Sequence, residues 1–318
     1  MPKPPKSPVS KPKTVSKPKA VPQPSDYELD YAMHDSVHCL APGLFRSITP
    51  GERASSKLKV DYDLGDGERI EFSGPEPLGA DDLRVLQGLV AMAGPRGVIL
   101  PEFPDTADAM TVRDLMEIHG KPMISKDGMV VKSSYKQLGR EIGYADVSSS
   151  KTIKDCLERM WKVSAIVEKD GKRMGFRLLS EYASDDNKGN LYVALNPRLT
   201  AAIVGDIRYT HIDMDEVRTI KVKNTRFVHQ RLCGFIDQGK SRLVRLDTIC
   251  KYIWPDDDLA DAETRKKHRT RTKPVLKELE SMGWLIEVYG KGKFKITRPK
   301  APESEFKIPR RKASPEPV

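Results

Sequence analysis

Cysteine is scarce. The four residues (Cys39, Cys156, Cys233, Cys250) lie far apart and form no CxxC pair. That argues against a disulfide framework or a zinc ribbon, and for a reducing cytoplasm. Long apolar runs are also missing. Nothing approaches the roughly 18 consecutive apolar residues of a membrane-spanning helix, so no membrane partner is expected. The opening stretch is rich in Pro and Lys and lacks the apolar segment of a secretory signal. Phosphate-gripping signatures are absent as well: there is no GxxxxGK[ST], and no GxGxxG follows a strand pattern. The chain reads as a non-enzyme without a cofactor.

What is abundant is positive charge, and it is unevenly placed. The 318 residues carry a net charge of +10. Residues 1–25 hold six lysines, eight prolines and no acid. Residues 262–300 hold twelve Lys/Arg against four Glu, while the long middle is mildly acidic. Clustered cation of this kind is the electrostatic footprint of a polyanion binder; a solvated, solubilising surface is the competing reading.

The Pro/Lys composition of residues 1–33 and of residues 300–318 buries too little apolar surface to offset chain entropy, so both ends are expected to be disordered. Between them, Leu83, Leu86, Leu89, Val90 and Ala93 form a helical stripe after Asp81-Asp82, ended by Gly94-Pro95. Met129–Val131 reads as a short strand. One helix then runs through Tyr135, Leu138 and Ile142, and the next, opened by Ser148–Ser150, carries Ile153, Met160 and Trp161. A hairpin turning at Asp170-Gly171 follows, with a further strand at Leu191–Leu195. The later part echoes this order. A helix over Asp215–Asp237 precedes a strand near Leu243–Leu246, a helix over Asp247–Ile253 and a helical segment over 262–282. Trp284, a Gly/Lys turn (Gly290 to Lys293) and a strand at Phe294–Thr297 complete it. Helix, strand, helix, helix, hairpin, twice over, predicts an α+β chain of two tandem winged helix-turn-helix domains, at 34–204 and 205–299, flanked by disordered basic tails.

In that arrangement the third helix enters the major groove and the hairpin wing lies along the backbone. Arg and Lys supply the donors that phosphates and guanine edges accept. The C-terminal domain offers Arg265, Lys266, Lys267, Arg269, Arg271 and Lys273 on its third helix and Lys291 and Lys293 on its wing, with Lys295 beyond. The N-terminal domain offers Lys151, Lys154 and Arg159, with Lys172 and Arg173 at the hairpin tip. Pro274 conflicts with a continuous helix, because it removes a donor and clashes with the carbonyl of Thr270. The segment either kinks there or begins near Thr272. His34, His38 and Cys39 sit at helical spacing, but no fourth ligand accompanies them, so packing or capping is the expected role and no metal is assigned. The paired histidines of metal-dependent DNA-nicking proteins are also missing; Thr210-His211-Ile212-Asp213 supplies one.

Several stretches resemble the RepC family of IncQ-type plasmid replication initiators. They are HCLAPGLFRS (His38–Ser47), RIEFSGPEPLGADDLRVLQGLVAMAGP (Arg69–Pro95), GFRLLSEYASD (Gly175–Asp185), LYVALNP (Leu191–Pro197), HQRLCGFID (His229–Asp237) and ITRPKA (Ile296–Ala301). The resemblance implies an initiator that binds directly repeated iterons in double-stranded origin DNA and promotes opening of an adjacent AT-rich region. It further implies recruitment of a plasmid helicase (RepA) and primase (RepB), and self-association as a homodimer is compatible with it. It supplies no catalytic residue. A winged-helix transcriptional repressor is the alternative, and would favour a single palindrome over direct repeats.

Overall fold

The computed structural model describes residues 27–100, 128–144, 149–185 and 189–300. Most of the segments expected to be disordered, up to residue 26 and from residue 301, lie outside these residues, as does Ser148. The folded chain begins earlier than the composition suggests. Leu29, Ala32 and Met33 are buried, and residues 31–35 form a strand.

The chain opens with β1 (Tyr31–Asp35), α1 (Ser36–Leu40), α2 (Glu52–Ser55) and the hairpin β2 (Leu58–Gly65) and β3 (Glu68–Gly74). There follow α3 (Ala80–Arg96), β4 (Gly97–Leu100), β5 (Gly128–Ser134), α4 (Tyr135–Glu141) and α5 (Ser149–Trp161). Next come β6 (Ser164–Lys169), β7 (Lys172–Arg177), β8 (Leu179–Asp185), β9 (Asn190–Leu195) and α6 (Pro197–Val204). The last third holds β10 (Tyr209–Asp213), α7 (Met214–Thr219), α8 (Lys223–Phe235), β11 (Ser241–Arg245), α9 (Leu246–Ile253), α10 (Ala262–Ser281), β12 (Leu285–Gly290) and β13 (Lys293–Thr297).

A repeat is visible in the pairing of the strands. In the later unit β11 pairs with β13 and β13 with β12, so the sheet order is first, third, second. In the earlier unit β5 pairs with β9 and β9 with β8, which is the same order, with β4 added at the edge. Each first strand runs straight into a helix: Ser134 caps α4, its hydroxyl accepting from the Gln137 amide at 3.1 Å, and Arg245 precedes α9. The hairpin of the first repeat is therefore β8–β9. The one the sequence suggested, β6–β7 with its turn at Asp170-Gly171, belongs to another sheet of order β2-β3-β6-β7. Both segments read as strand–turn–strand in the sequence, and tertiary pairing separates them.

One apolar cluster runs through both units, from Leu29 to Ile296. β1 pairs antiparallel with β10 across the length of the chain. Gln87 on α3 donates to Gln230 on α8 at 2.7 Å, and both side chains are buried. The helix expected over Asp215–Asp237 is broken into α7 and α8. The buried Arg226 guanidinium donates to the carbonyls of Val217 (2.8 Å) and Ile220 (2.6 Å). The Glu278 carboxylate receives the amides of Lys221 and Val222. Arg226, close in the chain, and Glu278, 56 and 57 residues away, satisfy the backbone groups that a continuous helix would have bonded internally.

The Trp residues behave differently. Trp284 is buried and donates its indole N–H to Glu216 at 3.0 Å. Trp161 is only half-buried, lying under the Arg177 guanidinium and edge-on to Tyr182. Of these two rings, Trp284 alone is held inside the core.

Candidate nucleic-acid interface

α10 begins at Asp261, whose side chain accepts from the Thr264 amide at 2.9 Å, and continues unbroken past Pro274. Of the two outcomes left open by the sequence, a start near Thr272 is not the one found. Thr270 and Pro274 are both exposed, so the carbonyl that Pro274 leaves without a donor lies where water reaches it. The buried stripe of the helix is Thr272, Val275, Leu276 and Leu279. Lys266, Thr270, Lys273 and Lys277 follow one another at spacings of three and four, so they share the opposite, exposed face.

Around this helix the fold gathers the other cations. Arg269 donates to the Asp247 carboxylate at 2.8 Å, tying α10 to the first turn of α9. The amide of the preceding residue, Leu246, donates to the carbonyl of Gly292 at 2.9 Å, which seats the hairpin tip against the same turn. Lys293 in turn lies opposite Arg245 in the ladder. Arg245, Lys291 and Lys293 thus gather where the hairpin tip meets the start of α9, the side to which Arg269 ties α10. Some of these charges are already compensated: Lys267 pairs with Glu263 (2.7 Å), Arg269 with Asp247, and Lys295 with Glu287 (3.1 Å). Among the described residues no ion pair involves Lys266, Arg271, Lys273, Lys291 or Lys293, all of which are exposed. Arg265 is half-buried and near Asp258, whose carboxyl is held below its usual range chiefly by a hydrogen bond from Lys251. Arg245 and Lys277 were not singled out in the sequence. Their only signal was a basic residue at a strand end and an i+4 step from Lys273.

In the earlier unit the structure brings together Lys151 and Lys154 with Lys136, Ser134, Tyr135, Ser150 and Gly189 around an open hollow of about 600 Å³. The hollow is lined by the first turns of α4 and α5 and by the β8–β9 hairpin. Gly189 was missed because the hairpin was placed at β6–β7, and Lys136, on α4, stood in the sequence as a single lysine with no other signal. Lys172 and Arg173 are exposed, but they cap β7 in the other sheet. Arg159 departs furthest from expectation. Its Nε donates to Asp82 at 2.8 Å and a second nitrogen lies 3.1 Å from the Cys156 sulfur. Asp82 is wholly buried and also receives Arg53 at 3.0 Å. A buried carboxylate demands such partners, so Arg159 is spent inside the protein and not on an outer surface.

The histidines at helical spacing are packed groups. His34 and His38 are fully buried, Asp35 caps α1 by accepting from the Val37 amide, and Arg198 occupies the other Asp35 oxygen at 2.9 Å. Burial pushes His34 down to about 4, with His38 adding to the effect. Glu216, His229 and Cys233 form another close group. There His229 Nε2 lies 2.7 Å from one Glu216 oxygen, while Trp284 holds the other. Burial opposes charge on His229, but Cys233 and Glu216 overcome it and lift the imidazole to about 10. This is an internal ion pair.

The fold has a counterpart among solved proteins. It is similar to that of domains 2 and 3 of RctB: a crystal structure of those domains matches 84% of this chain and 99% of that one, at 10% identity and a TM-score of 0.51. A second RctB structure covers 81% of this chain and 85% of its own (12% identity, TM-score 0.43). The Pi initiator protein, solved with iteron DNA, covers 68% and 93% (10% identity, TM-score 0.40). No curated protein matches the chain. A family model for replication protein C (RepC) matches residues 26–300, and the chain belongs to that family.

Proposed function

We propose that this replication protein is a plasmid replication initiator that grips directly repeated iterons in double-stranded origin DNA with two winged helix-turn-helix units. The observation that carries the reading is that exposed Arg245, Lys291 and Lys293 gather where the hairpin tip meets the start of α9, the side to which Arg269 ties the cation-rich α10. In a winged helix that side is where the third helix meets the major groove and the hairpin meets the flanking backbone. Lys266, Arg271 and Lys273 are exposed and take part in no ion pair among the described residues, which suits them to neutralise phosphates. The earlier unit contributes Lys136, Lys151 and Lys154 around the hollow at the start of α5, with a phosphate-positioning role. Two such units on one chain span successive turns of one face of the duplex, lengthening the sequence read.

The finer steps belong to the same proposal and rest on the family resemblance. Arrays of protein on iterons favour deformation of easily unstacked AT-rich steps nearby. A plasmid helicase (RepA) and primase (RepB) are then recruited to the opened strand, and self-association as a homodimer fits the same scheme. The protein acts by binding, in the cytoplasm, without a cofactor or a catalytic step of its own.

Purified protein incubated with supercoiled origin DNA and magnesium tests this. Retention of the DNA on direct repeats with both strands intact is the expected result. Strand cleavage would identify an enzyme, and retention only on a single palindrome would identify a repressor.

A further inference from the structure

The β12–β13 hairpin ends in an arrangement that phosphate binding does not explain. Val288 lies opposite Phe294 and Gly290 opposite Lys293, so Tyr289 is the extra residue of a β-bulge. A bulge re-aims the side chain it carries. Here it leaves the Tyr289 ring 64% exposed beside Val288, 78% exposed, at the far end of a sheet whose inner face is packed. Such exposure of two neighbouring apolar side chains at one tip is unfavourable in water and marks a contact surface. The turn beyond is Gly290-Lys291-Gly292, and a side chain at either glycine would meet no atom within 4 Å. The tip is therefore a thin blade with one apolar edge, and Lys291 and Lys293 are exposed on it.

We propose that this tip is a base-stacking wedge: Tyr289, backed by Val288, enters the minor groove beside the site gripped by α10 and stacks on a partly unstacked base step. The occupant is argued from charge and shape. Lys291 in the turn and Lys293 across from Gly290 set two cations next to the apolar pair, as phosphates lie next to base edges, and the two glycines flanking Lys291 keep the turn slim for a groove only about 6 Å wide. Proteins that bend DNA from the minor groove use apolar side chains in this way, and the unstacking falls most cheaply on flexible AT-rich steps. The wedge rests on the DNA-binding reading and gives it a means of distorting the duplex.

The test uses the full chain and a duplex spanning one footprinted origin repeat with its flanks, with 2-aminopurine replacing successive adenines. Wild-type protein should raise the fluorescence at one flanking position, reporting an unstacked base. Tyr289→Ala should abolish that rise and weaken binding roughly ten- to a hundredfold, the range spanned by one base–aromatic stack, without changing the salt dependence. Tyr289→Phe should keep both properties. Lys291→Ala should do the opposite, lowering the salt slope by about 0.9 while leaving the fluorescence rise. Wild-type affinity and fluorescence in Tyr289→Ala would overturn the wedge alone and leave the ring to a protein partner. A wild-type chain that ignores origin repeats would overturn both the wedge and the reading beneath it.

Discussion

Removing Lys266, Arg271 and Lys273 together isolates the phosphate-binding role of α10 from everything else the helix does. Each of the three is exposed and has no carboxylate partner among the described residues. None belongs to the buried stripe of the helix. Replacing them with Ala should therefore leave stability within about 0.5 kcal/mol, verifiable by thermal unfolding. Every phosphate that a side chain ceases to neutralise lowers the slope of log affinity against log salt by about 0.9, so the slope of the triple variant should drop by about 2.7. Between 50 and 200 mM salt, the wild type should then lose about fortyfold more affinity than the variant. Lys267→Ala with Arg269→Ala should change the slope less, because Glu263 and Asp247 already neutralise those two cations. Fluorescence anisotropy on an origin repeat across a salt series reads all of this. A triple variant with the wild-type slope would refute the placement of α10 against the backbone.

Other outcomes follow from the core. Trp284→Ala should cost about 3–5 kcal/mol in urea unfolding, from a buried ring and an orphaned Glu216 oxygen, whereas Trp161→Ala should cost no more than about 2 kcal/mol. His229 is raised to about 10 in the folded chain, so its contribution is complete below its unfolded value near 6.5 and disappears as pH rises through about 10. Stability of the wild type should fall across that window, and Glu216→Gln should flatten the fall; a wild-type profile flat to pH 10.5 would contradict the pair. Pro274→Ala restores a helical donor on the exposed side of α10 and should raise stability by about 1–3 kcal/mol, read as a higher Tm; no gain would mean the backbone has already relieved the clash.

The order of elements was legible because each carries its own period. α10 matched its expected span within a residue, and the β12–β13 hairpin announced itself through a Gly/Lys turn between alternating strands. What escaped was decided by individual side-chain and strand partners that the local periods do not encode. No glycine or proline marks the break at Ile220; Arg226 and Glu278 make it by taking over backbone groups. Local pattern cannot distinguish β6–β7 from β8–β9, since only pairing with β5 shows which of them completes the repeated unit. That single ambiguity put Lys172 and Arg173 on the hairpin of the repeated unit and concealed Gly189. Arg159 looked outward-facing by its spacing on α5, and its tie to a buried carboxylate 77 residues away has no trace in the local sequence.

Hydroxyl-radical footprinting on a single origin repeat tests the central claim most directly, because it reports backbone protection nucleotide by nucleotide. Two units acting on one face of the duplex should give two protected patches per repeat, about 10 base pairs apart. A lone patch per repeat, or a pair related by a two-fold axis, would contradict it.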